Sequence, residues 1–182
     1  MNKKQHTTNK GFALLLSLII SSIALSIGLS MLHITLKELS LGTTTRGSEI
    51  AFQAANAGME CLRYTRNKYI TEIIAGDEVP VDCLGSSIPN LTDSGSGNVK
   101  RYQAQDIEWS PSGGSLCINL DMYVLDTDAE GADIDYTFPS GVVKTCSDGD
   151  VCTFGLVRGY NRSCADVSGS IFTVQRELTI EF

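Results

Sequence analysis

Apolar and polar positions divide the chain into three stretches. Residues 12 to 32 read FALLLSLIISSIALSIGLSML, and no Lys, Arg, Asp or Glu occurs from residue 11 to residue 36. A helix rising about 1.5 Å per residue over this run matches a hydrocarbon core about 30 Å thick. Small residues inside the run are ordered. At about 100° per residue, Ala13, Ser17, Ser21, Ala24 and Gly28 share one face, and Ser22, Ser26 and Ser30 form a second stripe. Small residues let helices approach closely in lipid, so two such stripes suit contact with several neighbouring helices.

The helical pattern does not stop at the membrane. Between residues 37 and 70, Ile50, Ala54, Ala57 and Cys61 recur at helical spacing, as do Ala51, Ala55 and Gly58. Gly42 and Thr43 to Thr45 are poor helix formers and mark a place where the helix would weaken or bend. Residues 76 to 98 are rich in Gly, Ser, Asp, Asn and Pro and read as loop. Strand patterns follow. Residues 99 to 109 alternate loosely. Residues 116 to 125 place Leu116, Ile118, Leu120, Met122 and Val124 on one face. Residues 151 to 157 are a short apolar run. Residues 171 to 182 place Phe172, Val174, Leu178, Ile180 and Phe182 opposite Thr173, Gln175, Glu177, Thr179 and Glu181. Period-two alternation predicts half-buried antiparallel strands, and the second half of the long helix can cover their apolar face. The expected fold is α+β. It has a basic leader over 1–11, a membrane helix over 12–36, its continuation over 37–70 and a β head over 71–182.

Charge sharpens this division. Lys3, Lys4 and Lys10 precede the apolar run, a bias that holds an N-terminus in the cytoplasm and sends the following part across. After Gly11 there are eleven basic and twenty-one acidic side chains, a net charge of −10. Such a surface repels a phosphate backbone, so no nucleic-acid partner is expected. All six cysteines follow the apolar run, which predicts disulfides in an oxidising compartment. Six cysteines allow fifteen pairings. Cys146 and Cys152 flank a turn-forming segment and could close a small loop. Cys61 on the helix could pair with Cys83, leaving Cys117 and Cys164.

Candidate chemistry is sparse. Neither histidine, His6 or His33, lies in the head, which removes Ser-His and Cys-His nucleophile arrangements there. No enzymatic activity and no cofactor are expected. Asp126, Asp128 and Glu130, with Gly131 sixth, resemble the first half of an EF-hand loop. Thr137 stands where the twelfth-position Glu belongs, so the segment reads as an acidic turn with a weak calcium alternative. Asn90-Leu91-Thr92 and Asn161-Arg162-Ser163 match the glycosylation sequon by pattern.

Lys10-Gly11-Phe12 followed at once by an apolar helix resembles the class III signal of type IV prepilins. The resemblance implies cleavage by a prepilin peptidase between Gly11 and Phe12, N-methylation of Phe12, and packing with other pilin subunits through the helix. The head would then be extracytoplasmic. The segment FQAANAGMECLRY, with Phe52, Ala54, Ala55, Ala57, Gly58, Glu60 and Cys61, resembles minor pilins of the PilX kind. A later echo is Arg158-Gly159-Tyr160-Asn161, then Cys164 and the closing VQRELTIEF. Two positions depart from the family. Leu16 replaces the usual Glu at the fifth mature position, and His33 replaces the usual Pro at the twenty-second. The departures point toward a minor pilin or pseudopilin rather than a major pilin. The alternative is a membrane-anchored adhesive domain that enters no filament.

Overall fold

The computed structural model describes residues 10–85, 88, 90–111, 114–127, 131–138 and 141–182. One helix, α1, runs from Lys10 to Lys68. It is unbroken through Gly42 and the three threonines, where the sequence suggested weakening. Thr43 turns its hydroxyl back onto the Ser40 carbonyl at 2.8 Å, so the residue stays within the helical scheme. The chain divides after Thr43 into two compact units, the second being Thr44–Phe182.

The second unit holds the last part of α1, a short helix α2 (Ile70–Ala75) and six strands. The strands are β1 (Val99–Trp109), β2 (Leu116–Asp126), β3 (Ile134–Thr137), β4 (Val143–Cys146), β5 (Val151–Tyr160) and β6 (Gln175–Glu181). Four form an antiparallel sheet in the order β1-β2-β5-β6, and β3 and β4 form a separate hairpin. The α+β expectation therefore holds: the head end of the long helix packs on an antiparallel sheet. The hairpin and α2 were not anticipated. α2 ends on Gly76 in the left-handed conformation (φ 80°), whose N–H closes onto Ile73 O.

The helix–sheet interface is built from small residues. Gly47, Ala51, Ala54, Ala55, Gly58, Leu62 and Thr65 of α1 are buried, a stripe at steps of three and four. A Cβ on Gly58 would lie 2.7 Å from methyl groups of Ile118 and Val157. A Cβ on Gly159 would strike the backbone of α1 itself, at Ala51 O and Ala55 N. Backbone therefore lies on backbone at this crossing. The inner face of β2 supplies Ile118, Leu120, Met122 and Val124 to the core, as its alternation predicted.

The sheet is not half-exposed throughout. Tyr123 and Leu125, on the outer face of β2, are also buried, together with Phe154 and Cys146. The β3–β4 hairpin covers them with Ile134, Tyr136 and Phe138. Phe138 meets both Tyr123 and Phe154 edge-on, at centroid distances of 5.0 and 5.4 Å.

One strand expectation needs correction. The last strand begins at Gln175 rather than 171, and Phe172 is 70% exposed instead of facing the core. The reason is a turn: Thr173 N–H bonds Ser170 O and Phe172 N–H bonds Ser170 Oγ, which carries Phe172 outward before the strand starts. The loose alternation of β1 comes from a bulge between Ala104 and Ile107. There Asp106 adopts φ 56° and its N–H is taken by Asn119 Oδ1 at 2.8 Å. The extra residue switches the parity of the core positions from Tyr102 and Ala104 to Ile107.

Candidate functional site: the apolar helix surface and the stapled head

The first unit offers one feature, the surface of α1. Every described side chain from Phe12 to Arg46 is exposed, including Phe12 at 70% and Leu16 at 48%. By length and composition this helix can cross a membrane. Several of its hydroxyls are satisfied within the helix. Ser17 donates to Leu14 O at 2.9 Å, Ser21 to Leu18 O at 3.1 Å, Ser22 to Ile19 O at 2.8 Å and Thr35 to Met31 O at 2.9 Å. A hydroxyl bonded to its own helix costs little in an apolar medium and leaves a small, smooth face. The two small-residue stripes lie on this surface, and a Cβ at Gly28 would meet open space. Gly11 and Phe12, the expected processing pair, lie in the first turns of α1. Leader residues 1–9 lie outside the described residues.

The second unit is stapled three times. Cys61 on α1 is joined to Cys83, Cys117 on β2 to Cys164, and Cys146 on β4 to Cys152 on β5, with Cα–Cα distances of 5.6, 4.6 and 5.8 Å. These are the pairs that spacing suggested. Each staple holds a non-sheet piece to the sandwich of helix and sheet. The first holds the segment after α2 to the helix. In that segment Val79, Val81 and Leu91 are buried and Val79 pairs with Leu91. The second holds the 3₁₀ turn Cys164–Asp166 to the start of β2, and the third holds the hairpin to the sheet.

A polar network that the sequence reading missed crosses the outer face. Asp121 is 3% exposed, an expensive place for a carboxylate. Its oxygens accept from Arg101 at 3.2 Å and from Gln103, and lie 3.6 Å from an Arg158 nitrogen. Arg158 Nε in turn donates to Glu177 at 2.9 Å. The chain of contacts touches β1, β2, β5 and β6 in turn, so it fastens all four strands. Burial, and next the Asp121 charge, push the Tyr123 phenol above its ordinary value, while the Arg101 guanidinium lies 5.2 Å from that ring. The signal in the sequence was an acid inside an apolar strand, but its partners are visible only once the register is known. The arginines neutralise the carboxylate, which suits a structural tie better than proton transfer.

The acidic turn gathers no site among the described residues. Asp128 and Glu130 lie outside them, and Asp126 ends β2. Nearby Asp133 accepts the Asp148 N–H at 2.9 Å and Asp135 accepts the Thr145 hydroxyl at 2.6 Å, so both carboxylates serve the hairpin. Asp106 lies within 4.8 Å of the sulfurs of Cys117 and Cys164, but the disulfide removes the thiolates that a metal would need. The Asn161 side chain is also engaged, accepting from Val174 N–H at 2.8 Å and donating to Phe172 O at 3.3 Å. Comparison with protein-family profiles, with curated protein sequences and with solved structures gives no match.

Proposed function

We propose that the protein is a minor subunit, a minor pilin or pseudopilin, of a type IV pilus or type II secretion-like filament. In this reading a prepilin peptidase removes the basic leader after Gly11. The mature subunit waits in the membrane with its head outside the cytoplasm and is drawn into a filament through α1. Its role is structural, and no residue is assigned a catalytic part.

One observation carries the reading. A single unbroken helix from Lys10 to Lys68 is apolar and uncovered at its start, and supplies a small-residue core stripe at its end. A plain membrane anchor needs only the first part. A filament subunit needs both, because the same helix must change neighbours from lipid to other helices while keeping its head attached. The satisfied serines and two small stripes support close helix contact after that change. The three disulfides support an oxidising compartment for the head.

Leu16 sets the expected copy number. After cleavage the Phe12 amine would enter an apolar filament core, where an unpaired charge is costly. A carboxylate at position 16 would offset a neighbour's amine, and leucine cannot. The subunit therefore belongs at one end of a filament or at low copy. The test counts its copies per sheared filament by quantitative mass spectrometry. The wild type should be scarce and Leu16→Glu more abundant. Wild-type protein forming the bulk of a filament by itself would overturn the minor-subunit reading. Its absence from every filament fraction would favour the unassembled adhesive anchor.

A further inference from the structure

The two edges of the four-stranded sheet are treated differently. The β1 edge is covered: Asp93 bridges to Tyr102, Ser96 to Val99, and Asp93 Oδ1 takes the Arg101 N–H at 2.9 Å. The β6 edge has no such cover among the described residues. Its ladder with β5 can be followed at both ends. Thr153 and Phe182 exchange both backbone hydrogen bonds, and Asn161 N–H reaches Val174 O. Hydrogen-bonded pairs alternate along an antiparallel ladder, so Arg176, Leu178 and Ile180 turn their backbone groups to β5. Gln175, Glu177, Thr179 and Glu181 turn theirs to the open side.

Exposed edges are usually guarded by bulges, prolines or unpaired charges. β6 has neither bulge nor proline. Its charges are engaged from within: Glu177 by Arg158 at 2.9 Å, Glu181 by Lys144 at 2.6 Å, and Arg176 by Ser48 Oγ of α1, to which it donates at 2.7 Å. A groove flanks the edge on each face. The outer one, about 380 Å³, runs beside Thr179 and Glu181 under Phe138, Val142 and Phe154. The inner one, about 510 Å³, lies between β6 and the head end of α1, beside Ser48, Glu49, Phe52 and Leu178. A strand sends successive side chains to opposite faces. One strand laid along β6 would fill both grooves at once.

We infer that the β6 edge receives an extended strand from another protein chain, apolar at the positions facing the outer groove and basic at the position facing the inner groove. The outer groove is floored by aromatic and aliphatic carbon, and Val142 is 51% exposed there. The inner groove pairs Glu49, which has no ion pair among the described residues, with Phe52, 49% exposed one turn along the helix; Arg176 also lines it, its guanidinium turned onto Ser48 Oγ. A Lys or Arg side chain there meets a carboxylate and an aromatic face together. Long-range charge points the same way. Residues 44–182 carry ten basic and twenty acidic side chains, so two heads repel each other and a basic segment is attracted. The contact is strand addition, with affinity from the main chain and selectivity from the two grooves. It needs only the folded head and stands whether or not the chain enters a filament.

The probe is an acetylated, amidated peptide of about seven residues, the length of β6, with valine at alternate positions and arginine between. Full-length protein in detergent micelles is titrated against it by fluorescence anisotropy. Thr179→Pro removes an edge N–H that the β5 ladder does not use, and should weaken binding at least about tenfold. Val142→Arg, which blocks the outer groove, should do the same without touching the strand, so a folding defect in one variant cannot mimic the result. Exchanging arginine for glutamate in the peptide should also abolish binding. No saturable binding by the wild type, equal binding by Thr179→Pro and Val142→Arg, or equal binding of the acidic peptide would overturn the inference. So would dimerisation of the protein through β6 in sedimentation, since the occupant would then be a second copy.

Discussion

Tyr102 shows how much one residue can report. Its ring is buried, and its hydroxyl proton is shared between Ile73 O at 3.0 Å and Asp77 O at 3.2 Å, so it closes the end of α2 from the neighbouring strand. Burial, followed by the charges of Asp93 and Asp77, pushes its pKa from 10.0 up to about 12. The folded state therefore holds the proton more tightly than the unfolded chain. The resulting stability is full below pH 10 and is lost as pH rises from 10 through about 12. Tyr102→Phe should cost about 1 to 2 kcal/mol at neutral pH, because the buried Ile73 carbonyl and the more exposed Asp77 carbonyl lose their donor. It should also flatten the decline between those pH values. Urea titrations of both proteins across that range check both effects. Nothing in the sequence marked Tyr102, because its partners, Ile73 on α2 and Asp77 just beyond it, meet β1 only in the fold.

Among the elements, the contact between α1 and β5 is the most demanding. The stripe of small residues on the helix was legible as periodicity, but the glycines that receive it were not. Gly155 and Gly159 sit in a strand whose sequence looks merely apolar. Their meaning appears only when Ala51 and Ala55 are found against Gly159. Gly159→Ala would push backbone against backbone, with no flexible side chain to yield, and should destabilise the head by about 3 kcal/mol. Gly58→Ala meets only methyl groups and should cost less. Chemical denaturation of the two variants tests the order, and equal losses would argue against direct backbone contact. The same distinction explains which strands were legible. β2 alternates cleanly on its core face. β1 blurred because its bulge at Asp106 shifts the parity, which no fixed period can register. The β3–β4 hairpin escaped notice because each strand has four residues, too few to establish a period.

For the whole molecule, the staples and the long helix set the behaviour. Closing a longer loop restricts the unfolded chain more, so the disulfides should rank by sequence separation. Replacing Cys117 and Cys164 by serine, a separation of 47, should cost about 4 kcal/mol on the chain-entropy account. Replacing Cys146 and Cys152, a separation of 6, should cost about 2 kcal/mol. Thermal unfolding of the two double variants gives the order. The long apolar helix and the α+β plan were legible from hydropathy, because each depends on long stretches. The Arg101–Asp121–Arg158–Glu177 tie was not, because it is a property of strand register.

The filament reading rests most directly on what happens at Gly11. Cutting there leaves the apolar helix on the mature protein, whereas an ordinary anchor keeps its leader. The decisive measurement is the intact mass of the protein purified from cells that contain a prepilin peptidase, beside a Gly11→Val variant. The account predicts that the wild type begins at Phe12 and carries one added methyl group, while the variant retains residues 1 to 11. Wild-type protein that keeps its leader, with the peptidase active on a known substrate in the same cells, would contradict it.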